Sequence, residues 1–355
     1  HISGSHAQWG ARVSGAYKSF GDVTRGNTGG HTLMNRLRND SRTSRILNRT
    51  QRPNGYDAYD LNAQLRLQVA DLQEMMLTYQ GNIQNGVPRY DVVETLSDSL
   101  RSFDPQTRNL AFIRYINNRR TWLYNNLTAS ISWHRQFERR FRFRFNDPNV
   151  NIDQFGTNTY GAQIHFNKFI TDKHHLIYGT DIYYDDVGTI SFLEDISSGA
   201  RIQRAPLFPD GSSFISSGVF IQDEWQVLTN WSITPGVRFA YARLKAPFAF
   251  DPAVPVQFGT IIQTSTALTG SVGSRNRLND RMSFVANIGQ GFRTPNLDDS
   301  SKLGPGKGGT IYEIPNRSVS PEKSISVDGG IKIHGEAIQA NFIGFYNRIR
   351  DLLVR

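Results

Sequence analysis

The residues with the most suggestive chemistry lie in the glycine-loaded run Leu303-Gly304-Pro305-Gly306-Lys307-Gly308-Gly309-Thr310. A lysine among glycines can cradle a phosphate. Here Lys307 is followed by Gly308 rather than Ser or Thr, and Ser301 stands where the first glycine of a phosphate loop belongs. The run therefore reads as a flexible loop, whose glycines permit the wide backbone swings of a lid. Asp147-Pro148-Asn149-Val150-Asn151-Ile152-Asp153 alternates oxygen ligands like the start of a calcium loop. It lacks the glycine and the closing glutamate of an EF-hand, which leaves a weak calcium site or a polar turn. The chain has no cysteine, which removes disulfides, thiolate metal sites and a thiol nucleophile. No ordered nucleophile signature is present, and Glu74, Glu94 and Glu224 are isolated, so no catalytic residue and no metal ligand set is expected. His31 and the arginines Arg36, Arg38, Arg42, Arg45, Arg49 and Arg52 crowd one polar stretch. Either they draw in an anion or they are solvated charge.

What positions these residues is a repeated β-pattern. Tyr59, Leu61, Ala63, Leu65, Leu67 and Val69 alternate with Asp60, Asn62, Gln64, Arg66 and Gln68. The same period recurs from Trp231 to Ala242 and from Ser324 to Ile333. Each run is about ten residues long, enough to cross a bilayer as a tilted strand. Weaker versions occur at 9–20, 74–83, 122–134, 137–145, 155–168, 174–186, 214–227, 268–278, 281–292 and 337–349, giving about thirteen strands. Val92–Arg101 is the one short helix expected, inside a loop.

The connections alternate in length. Short ones are expected at Ala70-Asp71, Arg135-Gln136, Thr171–Lys173, Leu228–Asn230, Leu278–Asp280 and Gly335-Glu336. Long ones are expected at 21–54, 84–120, 187–213, 245–266 and 294–321. Short turns on one rim and long loops on the other are the habit of a membrane barrel, and aromatics gathered near strand ends fit its interfacial girdles. The chain has 355 residues, a net charge of +9 and no run of about 18 apolar residues, so it holds no transmembrane helix. Its mean hydropathy of -0.46 suits either a soluble protein or a barrel with a polar lumen. The scattered arginines lack a basic helix or a base-stacking motif, so nucleic acid is not an expected partner. A chain that opens on His1-Ile2-Ser3 and ends in a strand pattern reads as an internal fragment.

Two stretches carry a family likeness. Gly289-Gln290-Gly291-Phe292-Arg293-Thr294-Pro295-Asn296-Leu297 resembles the Phe-Arg-Ala-Pro box of TonB-dependent outer-membrane receptors, with Thr294 for the usual alanine. Pro315-Asn316-Arg317-Ser318-Val319-Ser320-Pro321-Glu322-Lys323-Ser324 resembles the family's Asn-Pro-Asn-Leu box, from which Arg317-Ser318-Val319 departs. Gly344–Leu352, Phe220–Trp225 and Pro235–Arg238 are similar to other strands of such barrels. The motif residues are thus Phe292, Arg293, Thr294, Pro295, Pro315, Asn316, Pro321 and Glu322.

The resemblance implies an all-β fold: a partial transmembrane antiparallel β-barrel, about thirteen strands of a 22-stranded one. Residues 1–355 would be a barrel fragment, with the plug domain and the C-terminal strands absent. It implies active transport of a scarce nutrient, such as haem or a ferric siderophore, across a Gram-negative outer membrane. The implied partners are the TonB complex through the absent plug, the lipid bilayer with its lipopolysaccharide, and the iron complex; no resident cofactor is implied. The paired boxes lean toward the haem receptor branch, yet no histidine lies between Asn296 and Pro315. Expected substrate contacts are His31, Arg36, Arg38, Arg293, Lys307 and Tyr312, whose phenol is a possible ligand to haem iron. A passive porin-type channel and a soluble β-rich carbohydrate-binding domain stay open as alternatives.

Overall fold

The computed structural model describes residues 1–26, 50–94, 98–249, 257–305, 312–335 and 338–353. Its frame is a single antiparallel meander. The strands are β1 (Ile2–His6), β2 (Trp9–Phe20), β3 (Tyr56–Ala70), β4 (Gln73–Asn85), β5 (Leu100–Asn117), β6 (Asn126–Phe143) and β7 (Asn149–Thr171). They continue as β8 (His174–Asp195), β9 (Ser212–Leu228), β10 (Trp231–Pro247), β11 (Thr260–Arg277), β12 (Met282–Arg293), β13 (Glu322–His334) and β14 (Gln339–Arg350). Spatial order follows chain order throughout, and among the described residues β1 and β14 each pair on one side only. Two short strands extend the sheet: Val87–Pro88 lies on β5, and Arg201–Arg204 lies on β8. Among the described residues the helices are brief, α1 (Tyr90–Glu94) and α2 (Leu297–Ser300).

Two expectations about strands are corrected. Arg135-Gln136 is not a turn but the middle of β6, with Arg135 opposite Asn109 and Asn158. The reason is parity: Leu127, Ala129, Ile131, Trp133, Phe137 and Phe141 keep one face across the polar pair. A real turn would have reset it. The second correction is that 84–120 is not one long connection, because β5 occupies Leu100–Asn117. Its pattern is hard to read: Leu110, Phe112 and Ile116 put apolar groups on the face opposite Ala111, Ile113 and Tyr115, and the register slips between Phe103 and Gln106. One strand too many at β6 and one too few at β5 offset each other in the count. The expected helix is shorter than 92–101 and begins earlier, at Tyr90.

The rims differ as the loop lengths predict. One rim carries the tight connections 7–8, 71–72, 172–173, 229–230, 278–281 and 335–338, with 118–125 the longest there. The other carries 21–55, 86–99, 196–211, 248–259 and 294–321, and the compact turn 144–148.

One face of the sheet is an exposed apolar band. Ile131 is 60% exposed, Val219 60% and Leu268 70%, and among the described residues no second sheet covers them. A soluble sandwich would bury that face. Across it run side-by-side aromatics: Trp133 opposite Tyr160, and Tyr160 opposite Tyr184. His174, paired with Trp225, lies ten residues back along β8 from Tyr184. At about 3.3 Å per residue and a tilt of about 40°, that separation is about 25 Å, the height of a barrel's apolar band. Beyond Tyr184 the strands do not stop. β7 and β8 continue to Asn149 and Asp195, about as far again, so the wall projects well past the band on the long-loop side. The best-buried apolar side chains sit at that end, on the opposite face: Leu244, Ala246 and Ile261, where the long loops fold in over the strand ends.

Candidate functional site

The motif residues converge on the long-loop rim. Pro295 has no N–H to give a ladder, so β12 ends at Arg293. Asn296 then caps α2: its side chain accepts from the Asp299 N–H at 3.0 Å, and its own N–H donates to Asp299 Oδ2 at 3.1 Å. β13 opens directly opposite, pairing Arg293 with Glu322 and Phe292 with Lys323. Arg293 therefore joins the two halves. Its guanidinium donates to Glu322 Oε1 at 3.0 Å and to Asp299 Oδ2 at 2.7 Å. The carboxylates are largely buried, 15% and 5% exposed, while Arg293 is 44% exposed. The Leu353 N–H adds a bond to Glu322 Oε1 at 2.6 Å.

The segment between the halves straps neighbouring loops together. The Asn316 N–H donates to Ser300 O at 2.9 Å, and Gln263 Nε2 to Asn316 O at 3.2 Å. The Leu303 N–H donates to Leu207 O at 3.0 Å, and Arg317 reaches Phe258 O. Pro295, Pro315, Ser300 and Ser301 are buried in this knot. Connections 196–211, 248–259 and 294–321 are thereby tied into one cap. Thr294 and Pro321 flank it at the strand ends. Among the expected contacts, only Arg293 has a described side chain. His31, Arg36, Arg38 and Lys307 lie outside the described residues. Tyr312 belongs to a two-residue strand whose backbone pairs it with Pro305.

A second polar cluster was missed in the sequence, because 84–120 reads there as a loop. It lines the inner face of the projecting wall. Arg101 stands opposite Arg142, Phe103 opposite Arg140, and Arg140 opposite Asp153. Arg142 Nε donates to the fully buried Asp98 at 2.8 Å, and Arg140 to Glu138 at 2.9 Å. The Arg140 guanidinium also lies 5.3 Å from the Phe103 ring centre and 5.1 Å from that of Phe155. Asp153 accepts from Arg204 at 2.6 Å and from Ser191 Oγ at 2.7 Å. The only available signal was the arginine density of 139–144, which carries no pattern without its partner strands.

The remaining candidates are structural. Asp147 accepts the Asn149 N–H at 2.9 Å in the turn 144–148. Among the described residues no group of three His, Asp or Glu is placed to hold a metal. His174 bonds Asp223 at 2.7 Å and His175 bonds Glu224 at 3.0 Å, both near the short-turn rim. His134 accepts from Arg108 at 3.0 Å.

The family model for TonB dependent receptor-like β-barrels matches residues 30–355. No curated protein matches the sequence. Solved structures with the same fold include the copper transporter OprC, at 15% identity and a TM-score of 0.76 over 99% of this chain and 51% of that one. The haemophore receptor HasR of Serratia marcescens, solved with its haemophore HasA and haem, is similar at 14% identity and a TM-score of 0.71 over 98% of this chain and 51% of that one. The ferric yersiniabactin uptake receptor FyuA of Yersinia pestis gives 12% identity and a TM-score of 0.63, with 99% of this chain and 51% of that one covered. At these identities the likeness is one of fold, and the chain spans about half the length of each.

Proposed function

The chain belongs to the TonB-dependent receptor-like β-barrel family, and from that premise we propose that it forms barrel wall of an outer-membrane receptor that imports a scarce metal complex. The cargo class is an iron complex such as haem or a ferric siderophore. It binds at the long-loop rim, where Arg293 and the loops bearing His31, Arg36, Arg38, Lys307 and Tyr312 are the proposed contacts. Passage is driven by energy coupled through TonB. The plug domain and the strands that close the barrel lie, in this reading, in sequence outside this chain. The open sheet and the half-length match to relatives support that division. The role is transport rather than catalysis.

The observation that carries the reading is the asymmetry of the wall. Strands long enough to cross a bilayer continue past the apolar band on one side only, and there three long loops are tied into a cap. A passive pore needs a lumen but no such cap.

The test is uptake of radiolabelled ferric complexes by cells that carry or lack the full-length gene. Each strain is assayed with and without TonB and with the proton gradient collapsed. Uptake that requires the gene, TonB and the gradient is expected. Gene-dependent uptake that ignores TonB and the gradient would establish the porin-type reading instead.

A further inference from the structure

Five guanidinium groups gather on the inner face of the projecting wall: Arg89, Arg101, Arg140, Arg142 and Arg204. Four have a carboxylate of their own. Arg89 pairs with Asp91 at 2.7 Å, Arg142 with Asp98 at 2.8 Å, Arg140 with Glu138 at 2.9 Å and Arg204 with Asp153 at 2.6 Å. Arg101 makes no ion pair and no side-chain hydrogen bond with any described residue. Its neighbour across the ladder is Arg142, and its strand neighbour on the same face, Phe103, sits beneath Arg140. The Nε atoms of Arg101 and Arg140 are buried and have no acceptor among the described residues; the same holds for Arg204 Nε farther along the wall.

A half-buried cation whose buried N–H lacks a partner is costly. Burial pushes the Arg101 guanidinium below its usual value, and Arg140, Arg142 and Arg89 push it the same way, against Asp98. A group that supplies oxygens and negative charge would relieve both deficits at once. The guanidinium fork matches carboxylate and phosphate oxygens, with two parallel N–H bonds per group. The parity of β6 says which side such a group comes from. Arg140 and Arg142 continue the polar line of Ser132, His134, Gln136 and Glu138, not the line of Ile131 and Trp133. They face the vestibule above the lumen, whereas lipopolysaccharide phosphates lie against the other face.

We infer that Arg101, with Arg140 and Arg142 beside it, binds an oxyanion group, carboxylate or phosphate, of a small soluble ligand entering from the long-loop side. This rests on the receptor reading of that rim and narrows its cargo class to complexes that carry exposed oxyanions.

The experiment uses the purified full-length receptor in detergent, titrated separately with citrate, with pyrophosphate and with lipopolysaccharide micelles. Binding is followed by calorimetry and by the shift in melting temperature. Citrate or pyrophosphate is expected to bind saturably, more weakly as salt rises, and to raise the melting temperature. R101Q is expected to weaken that binding about tenfold or more, and R101K severalfold, since lysine keeps the charge but not the fork. Without anion, R101Q is expected to melt no lower than the parent, because it removes a repelled charge. Failure of both small anions to bind would overturn the inference, as would R101Q binding them like the parent. Saturation by lipopolysaccharide alone would overturn the assignment to a soluble ligand. Parallel uptake assays separate the two readings: anion binding without TonB-dependent uptake strikes the receptor role, and uptake without anion binding strikes this site.

Discussion

Gly218 shows how much one missing side chain permits. It lies between Asp181 on β8 and Arg238 on β10, and the Arg238 guanidinium crosses over it to reach Asp181 at 2.8 Å and 2.9 Å. A Cβ there would stand 2.1 Å from the guanidinium. Gly218→Ala should therefore displace a flexible side-chain end and leave the ladder intact. With Arg238 38% exposed, the lost pair is worth less than about 1 kcal/mol. A double-mutant cycle with Asp181→Asn checks this: the coupling between positions 181 and 238 should vanish in the alanine background. Asp195 gives a pH prediction. It accepts bonds from the backbone N–H and hydroxyl of both Ser197 and Ser198. These hold its carboxyl at about 2 instead of 3.8, with the Ser197 hydroxyl first among the causes. A depressed folded value means that support for the turn is complete above 3.8 and is lost as pH falls through about 2. Hydrogen exchange at the Ser198 amide, taken relative to its intrinsic rate, should rise as pH falls across that interval in the parent and be high throughout in Asp195→Ala, which has no acceptor. The Gly218 crossing was not legible in the sequence, because it depends on which residues the neighbouring strands set alongside, whereas the Asp195 turn is local, its partners lying two and three places on. Arg293 and Pro295 were legible, since strand, stop and cap are consecutive in the chain.

Among the elements, β6 and β5 mark the limits of period-two reading. His134-Arg135-Gln136 looks like a turn because three polar residues interrupt an apolar run. Yet a strand that rises out of the bilayer band has no need of apolar residues there. Composition changed while the period did not, and the period was the better guide. Cross-strand disulfide formation tests this. Cysteines at 109 and 135, and at 107 and 137, should cross-link pairwise, whereas a turn at 135–136 would carry these positions off the strand. β5 failed for the opposite reason. Its inner face carries Leu110, Phe112 and Ile116, so both faces are apolar and no alternation is left to see. The wall arginines were hidden with it, as their grouping exists only once β5 lies against β6.

At the scale of the whole molecule, an uncovered apolar band about 25 Å high, rimmed by short turns on one side and tied loops on the other, is what a barrel wall requires. The rhythm of loop lengths carried most of that architecture in the sequence. What it could not carry was the height of the wall past the band, which is set by polar strands that pair with one another rather than with lipid. The strict agreement of chain order with spatial order has a further consequence, for descent. Every strand bonds only to its predecessor and successor, so a duplicated or deleted hairpin alters the circumference by two strands. It leaves each remaining residue on its original face and each remaining loop on its original rim. A wall of this kind can be lengthened or shortened by gene-segment duplication without redesign, which gives lineages a route to wider or narrower mouths from the same repeating part.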